Sequence, residues 1–132
     1  MVPHQIAVSF SAQDEVSAEH NPSPNDPDPV GPGDIVTWEF TPSAVGRNLR
    51  VSFRQVIDLT TKERESCQDL GPFSSLSRNG STIVGTIRSD VPSGTTKTHR
   101  YIYKIVDDSS DLQWLLPFNS GGLDTPGKPP GN

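Results

Sequence analysis

Ile35-Val-Thr-Trp-Glu-Phe40 alternates with a period of two, so that Val36, Trp38 and Phe40 face one way and Ile35, Thr37 and Glu39 the other. Alternation of this kind makes a strand with one buried face, and the side carrying Trp38 is the core side. Pro32-Gly33-Asp34 stands in front of it as a turn signal. The same pattern recurs downstream, where Leu49, Val51 and Phe53 alternate with Arg50, Ser52 and Arg54 and the run continues through Val56-Ile57. Upstream, Gln5 to Ser11 places Ile6, Val8 and Phe10 on one face. Beyond Asn79-Gly80, Ser81 to Arg88 forms another strand, and Pro92-Ser-Gly-Thr turns the chain into Lys97 to Val106, where Tyr101, Tyr103 and Ile105 share a face. Leu112 to Phe118 is a short apolar piece after Asp107-Asp-Ser-Ser-Asp111. Strands recurring about every dozen residues with no convincing helix predict an all-β chain, a single antiparallel Greek-key β-sandwich.

The stretches between these strands read differently. Asn21 to Gly33 is dense in proline, which fixes φ and removes backbone donors, and predicts an extended surface connection. Leu59 to Asn79 has no hydrophobic spacing that supports an amphipathic helix and reads as loop with room for one helical turn. Asn119 to Asn132 is Gly- and Pro-rich and too poor in apolar groups to offset the entropy of ordering, so it is expected to be a flexible tail. The expected organisation is a sandwich domain over residues 1–118 and a disordered Pro/Gly-rich tail over 119–132.

Composition narrows the functional classes. A chain of 132 residues suits one core, and with 31% hydrophobic residues, 13 Pro and 11 Gly the compact part is expected to be about 100 residues. The net charge of −5 repels phosphate backbones and anionic lipid, which argues against nucleic-acid and membrane partners. Arg47, Arg50 and Arg54 form the densest basic group, and at strand spacing they mark a solvated face. The single Cys67 has no internal partner for a disulfide, which fits a reducing compartment. Met1-Val-Pro-His-Gln-Ile6 lacks the basic start and apolar run of a secretory signal, and no apolar run approaches the ~20 residues that cross a bilayer, so a cytoplasmic location is expected.

Two segments carry a family resemblance. Pro32-Gly-Asp-Ile-Val-Thr-Trp-Glu-Phe40 is similar to the Pro-Gly-Asp-x-Val-x-Trp/Phe strand of the cupredoxins, and Tyr101-Ile-Tyr-Lys-Ile105 resembles the strand that in that family delivers the copper cysteine. With the strands between them they span about 75 residues of a sandwich pattern. The resemblance implies a plastocyanin-type sandwich, and its copper positions read wrongly here. A type 1 site needs two imidazoles and a thiolate, usually with a weak axial Met. The family's first His falls near Leu49, its Cys near Ile105 and its second His near Asp108, and no Met follows. His4, His20 and His99 lie on separate segments and are expected to be surface side chains. Asp26 and Asp28, and Asp107, Asp108 and Asp111, match no EF-hand spacing and are expected to form turns. No metal and no cofactor are therefore expected.

Nor does a catalytic motif emerge. There is no Gly-x-Ser-x-Gly elbow, no Cys within a nucleophile signature and no Gly-rich phosphate loop between a strand and a helix. Serines such as Ser74-Ser75 and Ser109-Ser110 read as turn residues, and no enzyme is expected. What remains is a non-catalytic binding or assembly module that engages a protein partner through loops, a sheet edge or the C-terminal segment. Trp114, Leu115, Leu116 and Phe118 are the candidate docking residues, since Trp and Phe are favoured anchors, although the same side chains suit a last core strand. Two other readings stay open. One is a copper-binding electron carrier with an unconventional site at Cys67; the other is a carbohydrate-binding or enzyme accessory module using Trp114, Tyr101 or Tyr103.

Overall fold

The computed structural model describes residues 3–10, 16–20, 29–40, 48–107 and 121–129. They form strands β1 (Pro3–Phe10), β2 (Val16–His20), β3 (Ile35–Phe40), β4 (Leu49–Asp58), β5 (Arg64–Ser66), β6 (Phe73–Asn79), β7 (Thr82–Ile87), β8 (His99–Asp107) and β9 (Gly121–Thr125). A five-stranded sheet runs in the order β2-β1-β3-β7-β6 and a four-stranded sheet in the order β5-β4-β8-β9. Every described pairing is antiparallel except β1 with β3, which is parallel with Ile6 opposite Trp38. A parallel neighbour needs a crossover of a dozen or more residues, and the proline-rich stretch between His20 and Ile35 supplies that length. The expected all-antiparallel arrangement is thus corrected at one ladder.

Local chemistry fixes the corners. At Gly31-Pro32-Gly33-Asp34 the Asp34 amide donates to the Gly31 carbonyl at 3.1 Å and Gly33 sits at φ +79°, the arrangement of a type II turn with Pro and Gly at its two central positions. β6 and β7 join through Gly80-Ser81, with Asn79 opposite Thr82 and Gly80 at φ +62°. Glycine at the first central position is what a II′ hairpin requires.

Burial follows the alternation read from the sequence. Val36, Trp38 and Phe40 are buried on β3, as are Leu49, Val51 and Phe53 on β4, Tyr101, Tyr103 and Ile105 on β8, and Ile6 and Val8 on β1. The aromatic rings interlock between the sheets: Trp38 meets Phe73 and Tyr103 at 5.5 Å between centroids, and Phe53 meets Phe73 and Tyr103 at 5.6 Å. Tilted and edge-on contacts of this kind add to the hydrophobic gain. Gly85 makes room for them, because a Cβ there would lie 2.5 Å from the Phe73 ring and 2.6 Å from Leu76.

Several segments differ from the sequence expectations. The stretch Leu59 to Asn79 is not a loop throughout, since it contains β5 and β6; Ser74 and Ser75 therefore belong to a strand rather than a turn. The strand was hidden by a bulge between Phe73 and Ser75 that brings Phe73 and Leu76, three positions apart, against the same glycine. Part of the segment expected to be a disordered tail is strand β9, paired with β8 from His99–Thr125 to Tyr103–Gly121. It has one large apolar side chain, the fully buried Leu123, and it is held mainly by polar groups. Arg100 Nε and Nη2 donate to the two carboxylate oxygens of Asp124 at 2.6 and 3.1 Å, and the Val30 amide donates to the Asp124 carbonyl at 2.9 Å. Pro29 and Val30, expected in a surface connection, are buried. β2 lies in a stretch that gave no strand signal. Leu112 to Phe118 lies outside the described residues.

Candidate functional site

Sheet edges are where a sandwich offers unpaired backbone groups, and the three outer strands with described side chains are finished differently. β5 is only three residues long and carries Arg64 and Glu65, both exposed. β9 is covered at Asp124 by the Val30 backbone. β6 is seven residues long, has a single charged residue, Arg78, and contains no Pro or Lys. Its residues from Ser74 onward are exposed apart from Leu76, which is half-buried. Its first residues carry a bulge, but from Ser75 to Asn79 the ladder to β7 is regular. Among the described residues no strand pairs with its outer side.

A groove of about 260 Å³ opens beside this edge, between the two sheets. Its floor is Leu49 and Val51 from β4 and Ile83 from β7, with Leu76 of β6 and Leu70 beside them. Leu70 is 39% exposed and is the only large hydrophobic residue so exposed among those described. The loop that carries it is fixed to β4: the Phe53 amide donates to the Asp69 carbonyl at 3.0 Å, and the Ser52 hydroxyl donates to the Asp69 carboxylate. Gly71, at φ +55°, lets the loop pass over Phe53, whose ring would lie 2.5 Å from any Cβ there. The apolar opening is therefore built on rigid elements.

The polar groups around the groove carry both signs, with Ser77 neutral among them. Arg50, Arg78 and Asp69 line it, with an Arg50–Asp69 ion pair at 3.8 Å and Arg78 Nε donating to the Gly80 carbonyl at 3.2 Å. Arg50 and Arg54 are exposed, as expected for a solvated face, whereas Ser52 and its cross-strand partner Lys104 are buried. Burial and the nearby Arg54 and Arg50 guanidinium groups lower the pKa of the Lys104 amine. Arg47 lies outside the described residues.

A second, smaller cleft of about 100 Å³ holds Asp58, Glu63, Glu65, His99 and Lys128. The Thr98 hydroxyl lies 2.8 Å from His99 Nδ1, and His99 Nε2 lies 3.7 Å from Asp58. This does not assemble a nucleophile. The Thr98 hydroxyl also donates to the Thr125 carbonyl, and the Asp58 carboxylate caps the β4–β5 turn by accepting the Thr60 and Thr61 amides at 2.8 and 3.0 Å. These backbone hydrogen bonds lower the pKa of Asp58.

The residues singled out for metal or sugar binding are dispersed. His4, on β1, is hydrogen-bonded through Nε2 to Asp34 at 3.1 Å, while His99 is on the other sheet and the side chain of His20 is outside the described set. Leu49 and Ile105, where the family resemblance sets copper ligands, are buried core residues. Burial, with the Asp69 and Glu65 carboxylates, pushes the Cys67 thiol up to about 11, so it is protonated and a poor ligand at neutral pH. Among the described residues no three His, Cys, Asp or Glu side chains gather to hold a metal ion. Tyr101 and Tyr103 are fully buried and present no platform to a sugar, a correction to that expectation. Asp26, Asp28, Asp108, Asp111, Trp114, Leu115, Leu116 and Phe118 fall outside the described residues. No helix among those described is long and apolar enough to cross a membrane.

Sequence reasoning named a sheet edge without locating it. The signal was present in Leu70 and Leu76, two leucines in a Ser-containing polar stretch with no helical periodicity. Set against known protein families, curated proteins and solved structures, the chain matches none.

Proposed function

We propose that this chain is a non-catalytic binding module, a cupredoxin-like sandwich without the copper ligands, that engages a protein partner by adding a strand of that partner to the outer edge of β6. The observation that carries this reading is the coincidence of a seven-residue edge that no strand covers among the described residues with an apolar groove along it. Strand addition draws affinity from main-chain hydrogen bonds and specificity from pockets that take alternate side chains. An added strand would extend the ladder beyond Ser75 to Asn79 and direct every second side chain over Leu70 and Leu76. The groove volume of about 260 Å³ suits two aliphatic side chains at such alternate positions.

Selection of peptides from a random display library on the immobilised chain tests this role. Enriched peptides are expected to slow hydrogen exchange at the β6 amides and to leave those of β5 unchanged. Failure to enrich any peptide, or protection confined to the His99 cleft or to β5, would contradict it.

A further inference from the structure

We infer that Asn79-Gly80, where β6 turns into β7, is a site of spontaneous covalent modification, at which the Asn79 carboxamide is converted through a cyclic imide into isoaspartate and aspartate. The Gly80 amide nitrogen, once deprotonated, attacks Asn79 Cγ; an N–C bond forms, the bond to the carboxamide nitrogen breaks and ammonia leaves. Water then opens the imide at either carbonyl, so the chain runs through the Asn79 side chain in isoaspartate and through the main chain in aspartate. Asn79, Gly80 and Ser81 are all exposed. Among the described residues neither the Asn79 carboxamide nor the Gly80 amide nitrogen has a hydrogen-bond partner. Gly80 carries no Cβ to screen its nitrogen, and nothing lies within 4 Å of where one would stand. The neighbouring carbonyls are held instead: Thr82 Oγ1 donates to the Asn79 carbonyl at 3.0 Å and Arg78 Nε to the Gly80 carbonyl at 3.2 Å.

The hairpin slows this reaction without preventing it. Asn79 is extended and paired with Thr82, and its Cγ reaches the Gly80 nitrogen only when that pair opens. The pair is the last rung of the ladder, beside a two-residue turn, where a strand opens locally at least cost. Isoaspartate adds a methylene to the main chain, so Thr82 then loses its partner, and the new carboxylate adds one negative charge. Since Asn79 ends β6, the edge changes whether or not a partner uses it.

The test ages the full chain in mildly alkaline buffer, folded and in denaturant, and follows the peptides that contain Asn79 and Asn48 by mass. Asn48 is also exposed but is followed by Leu49, whose Cβ screens the amide. In the folded chain Asn79 is expected to gain about 1 Da at least about tenfold faster than Asn48, and roughly tenfold slower than Asn79 itself in denaturant, the retardation of opening one hydrogen-bonded rung. The rate should rise with pH, and Asn79→Gln should abolish the gain while leaving the fold unchanged. Aged protein should be a substrate for an isoaspartate-specific carboxyl methyltransferase and should exchange the Thr82 amide faster. Freshly prepared Asn79→Asp, which adds the charge without the methylene, should do neither. Loss of the Asn79 amide in denaturant alone would overturn the inference for the folded protein, and equal retention of both amides in both states would overturn it altogether. Conversion with unchanged Thr82 exchange would overturn the loss of the rung.

Discussion

Individual side chains in this protein are governed by where burial places them. Cys67 illustrates it: half-buried beside Asp69 and Glu65, its thiol is held up at about 11 from an ordinary 9.0. The folded pKa is raised, so the stability that the neutral thiol contributes is present below about 9 and is lost as pH rises through about 11. Alkylation by iodoacetamide is therefore expected to be slow at pH 8 and to accelerate only as the pH approaches 11; a half-maximal rate near pH 8.5 would contradict this placement. At this scale the sequence was legible wherever a strict period of two held. Val36, Trp38 and Phe40 were assigned to the core from alternation alone and are buried. It was not legible for Leu76 or for Val30, whose burial depends on a bulge and on a distant strand. Leu70 marks the site because its loop is tied to β4 by Asp69, a contact between residues remote in sequence.

Among the elements, those with apolar alternation were readable and those held by polar groups were not. β3, β4, β7 and β8 follow the first rule. β9 follows the second: Gly121-Gly-Leu-Asp-Thr125 resembles a mobile tail, yet Leu123, Asp124 and Thr125 are buried against β8 and the Arg100–Asp124 fork anchors them. Removing residues 121–132 is accordingly expected to destabilise the fold by at least about 2 kcal/mol, from the lost burial of Leu123 and the fork. Chemical denaturation of the full and shortened chains measures it, and an unchanged midpoint with unchanged slope would show that β9 contributes nothing. β6 shows a different failure of legibility. Its bulge replaces the two-residue spacing of a strand by the three-residue spacing of Phe73 and Leu76, which no periodicity argument assigns to one sheet face.

The whole molecule is a two-sheet sandwich that protects its described edges unequally. β5 is short and charged, β9 is covered by Val30, and β6, which has no outer neighbour among the described residues, lies beside an apolar groove. Open edges of this kind invite uncontrolled association unless a partner uses them. Strand addition at β6 makes a demand that no side-chain pocket alone would make: the ligand's own amides must point at the edge, and only every second one can do so. Binding of two versions of a peptide selected on the immobilised chain, N-methylated at odd or at even positions, tests this most directly. The account predicts that methylation of one set abolishes binding and that methylation of the other leaves it within about twofold of the parent. Two methylated peptides that both bind like the parent would contradict it.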